Sequence, residues 1–338
     1  MSGVNLRAGQ VVEVLSEEEI LATLDENGEY ENMPFMPEMA RWCGQRLTVA
    51  SVASKLCDTQ GRSGMRRMDN AVHLTQARCD GSAHGACEAG CLIYWKLAWL
   101  REVDGPATAE PATPVAPNGS RLLPLLVANA QRPANHDGGD APTYKCQVTQ
   151  LLQAAPDTLP WRDVSQYVDD VRSGNASMHF AARAFLVGGF NRVQHVSHRL
   201  PRQLRFRKGK DWGFIEGRPG TTPTGETSLQ AGDWVRIKSK EEIMKTLNEQ
   251  QLNRGLGFEA EMARFCGRTV RVARRVTQIV DEKTGRMIYM KYPCIVLEGI
   301  VCEGAYSASC PRAIPAYWRE IWLDKVPDPT RTEPALGS

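Results

Sequence analysis

"LRAGQVVEVLSEEEILATL", residues 6–24, returns 223 positions later as "LQAGDWVRIKSKEEIMKTL", residues 229–247, and that echo decides the fold. The same offset carries "EMARWCG" (38–44) onto "EMARFCG" (261–267), Cys43 onto Cys266, Cys79 onto Cys302 and Cys87 onto Cys310. It also carries Tyr94-Trp95 onto Tyr317-Trp318 and Trp99 onto Trp322. No net insertion separates the copies, so the chain is read as a duplication with modules at residues 5–104 and 228–327, each the size of a small domain.

Each copy reads alike. "QVVEVLS" and "DWVRIKS" alternate as a strand does, and Ser16 with Glu19, or Ser239 with Glu242, forms the S-x-x-E box that opens a helix. A short helical turn from Glu38 to Cys43 stops at Gly44, with Gly267 at the matching place. Strands are expected at about 46–54 and 269–278, then turns at "DTQGRSG" and "DEKTGR", then strands at "AVHLTQA" and "CIVLEGIV", and a last strand carrying the paired aromatics. The expected class is α+β, β-rich: two tandem homologous small β-barrel or roll modules of the SH3-like kind, each with an inserted short helix. That assignment is by analogy of element order.

Between the modules the composition changes. Residues 105–143, including "GPATAEPATPVAPNGS" and "NAQRPANHDGGDAP", suit an extended or disordered connector. Residues 144–227 read as a helical, basic middle segment, with Met178, Ala182, Phe185, Leu186, Val193 and Val196 at helical spacing and Gly188-Gly189 weakening the helix. Residues 328–338 form a tail.

The ordinary composition, 42% apolar and 24% charged with a net charge of +2, excludes a global electrostatic pull on nucleic acid or membrane. The opening "MSGVNLRAGQVVEVLSEEEI" has no signal-peptide pattern and no run is apolar enough for a transmembrane span, so a cytoplasmic protein is expected. Ten cysteines then point to reduced thiols, metal binding or catalysis rather than a disulfide framework.

Three cysteines recur in both copies, one ending a helical turn and two flanking a seven-residue loop. Tetrahedral zinc needs about four thiolate or imidazole ligands from segments that can bend around it. Copy two holds Cys266, Cys294, Cys302 and Cys310, enough for a four-thiolate site. In copy one Ala71 stands at the place of Cys294, so Cys43, Cys79 and Cys87 need a further ligand, from Cys91 or His73, with His84 and Cys57 also available. Structural zinc is the expected cofactor, a staple for two undersized barrels. The competing readings are inert buried thiols, disulfides and a redox or catalytic centre. For a catalytic thiol the candidates are Cys57 and Cys91, with His84 or His73 as activator, since neither cysteine has a counterpart in copy two.

From Val171 to Lys210 there is no Asp or Glu, and Arg199, Arg202, Arg205, Arg207, Lys208 and Lys210 close that stretch as a candidate anion-binding strip. Phe206 and Trp212 among them suit nucleic acid, and the preceding amphipathic helix suits an anionic membrane surface. A solvated strip beside a packed helix is the plainer reading. The aromatics Tyr94, Trp95 and Trp99 and their counterparts read as core rather than a ligand groove, and Glu38–Arg41 and Glu261–Arg264 as i,i+3 ion pairs rather than an acid and an anion clamp. P-loop, dinucleotide, zincin and nucleophile-elbow motifs are missing. The expected function is a non-catalytic scaffold or accessory protein whose two zinc-stapled modules bind a protein partner. The alternatives are a thiolate-ligated metalloenzyme with an open site in the first copy, and nucleic-acid or anionic-membrane binding through residues 171–210.

Overall fold

Alternation along β1 (Val11–Val14) buries Val12 and Val14 and leaves Val11 and Glu13 partly exposed, as on a half-buried strand. Ser16 ends the strand and opens α1 (Glu17–Leu21): its hydroxyl accepts the Glu19 N–H at 3.3 Å, and the Glu19 carboxylate accepts the Ser16 N–H at 3.0 Å. The chain continues with β2 (Arg46–Val52), β3 (Lys55–Cys57), β4 (Met65–Arg67), β5 (Ala71–Arg78), β6 (Leu92–Lys96) and β7 (Leu100–Glu102). A five-stranded antiparallel sheet of order β6-β5-β2-β1-β7 results. Register shifts between Val49 and Ser51 and between His73 and Arg78 help curl it into a half-barrel. The computed structural model describes residues 6–107, 121–132, 141–217, 220, 222–225 and 227–329.

The middle of the chain adds α2 (Leu122–Ala130), α3 (Gln147–Ala154), β8 (Thr158–Leu159), α4 (Ser165–Arg172) and α5 (Met178–Ser197). Helix α2 differs, over its own residues, from the extended or disordered connector expected at 105–143: Leu122 and Leu126 are buried in the first core, and Pro124 sits in the first turn, where a missing N–H costs no intrahelical bond. The Pro-rich stretches at 108–120 and 133–140 lie outside the described residues. Gly188 and Gly189 do not interrupt α5; Trp161 lies against them, and a Cβ on Gly189 would meet its ring at 3.5 Å.

A second five-stranded sheet follows, in a stretch with β9 (Trp234–Ile237), α6 (Lys240–Met244), β10 (Thr269–Val280), β11 (Met287–Val301), β12 (Pro315–Trp318) and β13 (Leu323–Lys325). Its order, β12-β11-β10-β9-β13, repeats that of the first sheet strand for strand. One difference stands out. Copy two keeps β10 and β11 as unbroken strands of 12 and 15 residues, whereas in copy one the chain breaks after Val52 and re-pairs as the β3–β4 hairpin, to which β8 adds. Asp58 closes that hairpin by accepting the Gly61 N–H at 2.6 Å and the Ser63 hydroxyl at 2.6 Å.

The chain packs as two compact units whose boundaries differ from those of the repeats. The first comprises residues 1–209, 278–289 and 303–314, and the second residues 210–277, 290–302 and 315–338, the masked positions aside. Each has its own aromatic core. In the first, Phe35 meets Trp95 and Trp99 edge-on at 6.0 and 5.1 Å; in the second, Phe258 meets Trp318 and Trp322 at 6.3 and 5.5 Å. Among the described residues no helix is long and apolar enough to cross a membrane.

Candidate metal centre and exposed helix face

Three side chains from one end of the first sheet meet in its interior. Glu38 comes from the 3-10 turn Pro37–Trp42, Cys79 follows the last residue of β5, and His84 lies in the loop that leads back to β6. Gly81 lets that loop fold tightly: its φ is +72°, and a Cβ there would lie 2.0 Å from the Cys87 carbonyl oxygen. The ligand-capable atoms of Glu38, Cys79 and His84 all lie within 4.8 Å of one another, and the cluster could hold a metal ion.

The surrounding bonds orient these groups as a metal site needs. His84 Nε2 donates to the Lys145 carbonyl at 3.1 Å, and Nδ1 donates to Glu38 Oε1 at 2.7 Å, so Nδ1 could take a cation only by giving up the proton it shares with Glu38. Ala83 N–H donates to Glu38 Oε1 at 3.1 Å, and the Cys79 sulfur is 3.8 Å from the same oxygen. Glu38 Oε2 is buried and has no hydrogen-bond partner among the described residues, a costly state that a cation would relieve. Burial alone would raise the Glu38 carboxyl, but the His84 hydrogen bond and charge, with the Ala83 N–H, hold it below its ordinary value. Burial first, and then the Glu38 charge, push the Cys79 thiol far up. It therefore stays protonated until a cation displaces the proton. A sulfur, an imidazole nitrogen and a carboxylate are a donor set that zinc accepts, and His84 and Glu38 would have to part slightly to admit it.

Glu38 is the residue that sequence reasoning missed. It does not pair with Arg41, whose guanidinium reaches Asp80 at 2.7 Å instead, whereas the expected i,i+3 pair does form in copy two, Arg264 to Glu261 at 2.8 Å. The usable signal was His84, which stands where copy two has Ser307. An i,i+3 acid and base on a helical turn mask a carboxylate whose true partner is 46 residues away.

The other expected ligands are not gathered. Cys43 lies apart from the cluster, its thiol pushed up to about 12 by burial and by Glu17. The Cys87 sulfur accepts the Val280 N–H at 3.2 Å, and Cys91, pushed up to about 12 by burial, offers its carbonyl to the Cys79 N–H at 2.9 Å. His73 is fully buried, with Nδ1 2.9 Å from the Ile93 carbonyl and its ring 4.4 Å from that of Tyr94. In copy two no three of Cys266, Cys294, Cys302 and Cys310 bring their sulfurs within reach of one ion. Cys294 sits 3.5 Å from the Arg319 guanidinium, Cys266 is raised to about 11 by burial and Glu241, and Cys302 is half-buried. Cys310 belongs to the first unit, where its sulfur accepts the Cys57 N–H at 3.2 Å. His84 is engaged by Glu38 and Lys145 and not by Cys57 or Cys91, so the nucleophile pairings expected from sequence do not form.

A second feature lies on α5. An amphipathic helix ordinarily buries its apolar face. This one buries Ala181, Ala184, Gln194 and Ser197 along with Val187, and exposes Leu186 at 68% and Val193 at 62%, with Val196, Leu200, Leu204 and Phe206 beyond them. The cations of the expected anion strip divide around it. Arg199 and Arg207 are exposed, but Arg205 donates to the carbonyls of Leu200 and His198 at 2.9 and 3.0 Å, and Lys210 pairs with Glu216 at 2.7 Å. The side chains of Arg202 and Lys208 are outside the described residues. No family model matches the chain and no curated protein matches it.

Proposed function

We propose that the chain is a non-catalytic accessory protein of the cytoplasm that docks an acidic, amphipathic helix of a protein partner on the exposed face of α5. The observation that carries this reading is the apolar surface α5 leaves exposed: Leu186 and Val193 stand in water while Gln194 is wholly buried. Exposed apolar surface of this kind is a cost that a partner repays. The partner's acidity follows from charge. Arg192 and Arg199 are exposed on the same helix and its exit, and no carboxylate occurs from 171 to 210, so a second copy would set cation against cation.

The two β-rich repeats are, in this reading, SH3-like modules that serve as the rigid frame. Zinc at Glu38, Cys79 and His84 staples the first. The side chains of Glu38 and His84 are 0% and 1% exposed, which suits a structural site better than a catalytic one with an open position. A metalloenzyme would need water to reach the ion.

Titration of the full chain with a synthetic acidic amphipathic helical peptide tests the proposal. Binding that weakens with salt and is lost in Leu186→Glu/Val193→Glu, at unchanged thermal stability, is the expected result. Phosphatidylserine vesicles and single-stranded RNA run alongside, with sedimentation to detect self-association. Binding to either of those in preference to the peptide, dimerisation through this face, or peptide binding that survives the double substitution would overturn it.

A further inference from the structure

We propose that Cys57 and Cys310 form a reactive dithiol, which a peroxide converts into an intramolecular disulfide.

The two residues are 253 positions apart in sequence and meet inside the first unit. Cys57 ends β3 and is half-buried; Cys310 lies in the loop 303–314 and is buried. The Cys57 N–H donates to the Cys310 sulfur at 3.2 Å, which sets the two cysteines side by side. Arg312 is fixed beside them: its guanidinium donates to the Cys57 carbonyl at 3.1 Å, to Thr59 Oγ1 at 2.8 Å and to Glu282 Oε1 at 3.0 Å. Met65 and Leu159 pack against Cys310, with Ala308 at the edge, so the partner sulfur is sheltered.

The loop holding Cys310 is bent against its preferences. Ala308 and Ser309, immediately before it, take φ values of +46° and +58°, which non-glycine residues rarely adopt. Gly304 closes the turn, for a Cβ there would lie 2.5 Å from the Cys310 nitrogen. The chain thus presents this sulfur to Cys57 at some conformational cost.

The roles divide by environment. The Cys310 hydrogen bond and then the Arg312 charge bring the Cys57 thiol down to about 6 despite its burial, while burial and Cys57 itself hold Cys310 well above its ordinary value. Cys43, Cys91 and Cys146 are all pushed up to about 12 by burial and are poor nucleophiles. Cys57 therefore attacks first. Its thiolate forms a bond to one peroxide oxygen as the O–O bond breaks and hydroxide leaves, giving a sulfenic acid. The Cys310 sulfur then attacks the Cys57 sulfur, the S–O bond breaks, and water departs with the Cys310 proton. Two thiols lose two electrons, and one hydrogen peroxide is reduced to hydroxide and water.

The test treats the full chain with substoichiometric hydrogen peroxide and maps crosslinked peptides by mass spectrometry without reduction. A Cys57–Cys310 pair should be the main product, and Cys310→Ser should instead leave a Cys57 sulfenic acid that dimedone traps. In the unoxidised wild type, iodoacetamide should alkylate Cys57 at least about tenfold faster than Cys43, Cys91 or Cys146. If Cys310→Ser fails to fold, the wild-type crosslink and alkylation order still decide. Crosslinks among other cysteines, or a Cys57 no faster than the rest, would overturn the proposal.

Discussion

The indole N–H of Trp99 donates to Oγ1 of Thr23 at 3.2 Å, and the same bond recurs 223 positions later between Trp322 and Thr246 at 2.8 Å. In both places the threonine hydroxyl in turn donates a hydrogen bond to a carbonyl of the preceding turn, Ile20 and Ile243, each at 2.7 Å. Two fully buried tryptophans are thereby tied to two short helices. Thr23→Val and Thr246→Val keep the shape and remove the acceptor, stranding a buried N–H. Each should cost about 1 to 2 kcal/mol in urea denaturation. A loss in one variant and none in the other would show that the repeated bond is worth different amounts in the two environments.

The shared strand order of the two sheets was legible because it is written locally. Ser16 and Ser239 cap, Val12 and Val235 alternate inward, and both sheets take the same strand order. What could not be read depends on contacts between distant segments. Nothing near Lys55 in sequence announces Asp170, and nothing near Glu38 announces His84. The cysteines misled for a related reason. Matching positions in the two copies suggested matching sites, yet the loop carrying Cys310 packs with residues 1–209 and the cysteines at 266, 294 and 302 do not.

A cation at Glu38, Cys79 and His84 has a direct consequence for stoichiometry. Elemental analysis of protein loaded with zinc and desalted should give one ion per chain, not two. Cys79→Ser and His84→Ala should lose it, while Cys302→Ser should keep it. Because the Cys79 proton must leave when the metal binds, zinc affinity should fall as pH falls, and EDTA should lower the melting temperature of the wild type but not of His84→Ala. Two tightly held ions, or full zinc content in Cys79→Ser, would contradict the placement.

Lys55 Nζ lies 2.6 Å from Asp170 Oδ2, and their side chains are 1% and 0% exposed. Removing one partner leaves a buried, unpaired charge. Lys55→Met should therefore cost roughly 3 to 5 kcal/mol in urea denaturation, whereas Lys55→Met/Asp170→Leu should recover most of that loss. A double variant no more stable than the single would mean that the pair is held for shape and not for charge.

Asp170 also sets the acid response, in opposition to His73. Burial holds His73 down at about 4, against an ordinary value near 6.5. Between those values the unfolded chain takes a proton that the folded chain refuses, so this contribution to stability, complete above about 6.5, is lost as pH falls towards 4. Burial of Asp170 outweighs the Lys55 charge and raises it to about 6, so below that pH the folded chain holds a proton that the unfolded chain, near 3.9, does not. Its contribution therefore grows on acidification across much of the same window. Glu38 and Asp58, both held below their ordinary values, lose stability only at lower pH. Urea denaturation at pH 6.5 and pH 5 in EDTA separates the two groups. Asp170→Asn should lose more stability than the wild type over that interval, and His73→Phe should gain, by roughly 1 to 2 kcal/mol each. Parallel slopes in the two variants would show that neither group is held in the folded chain as its burial implies.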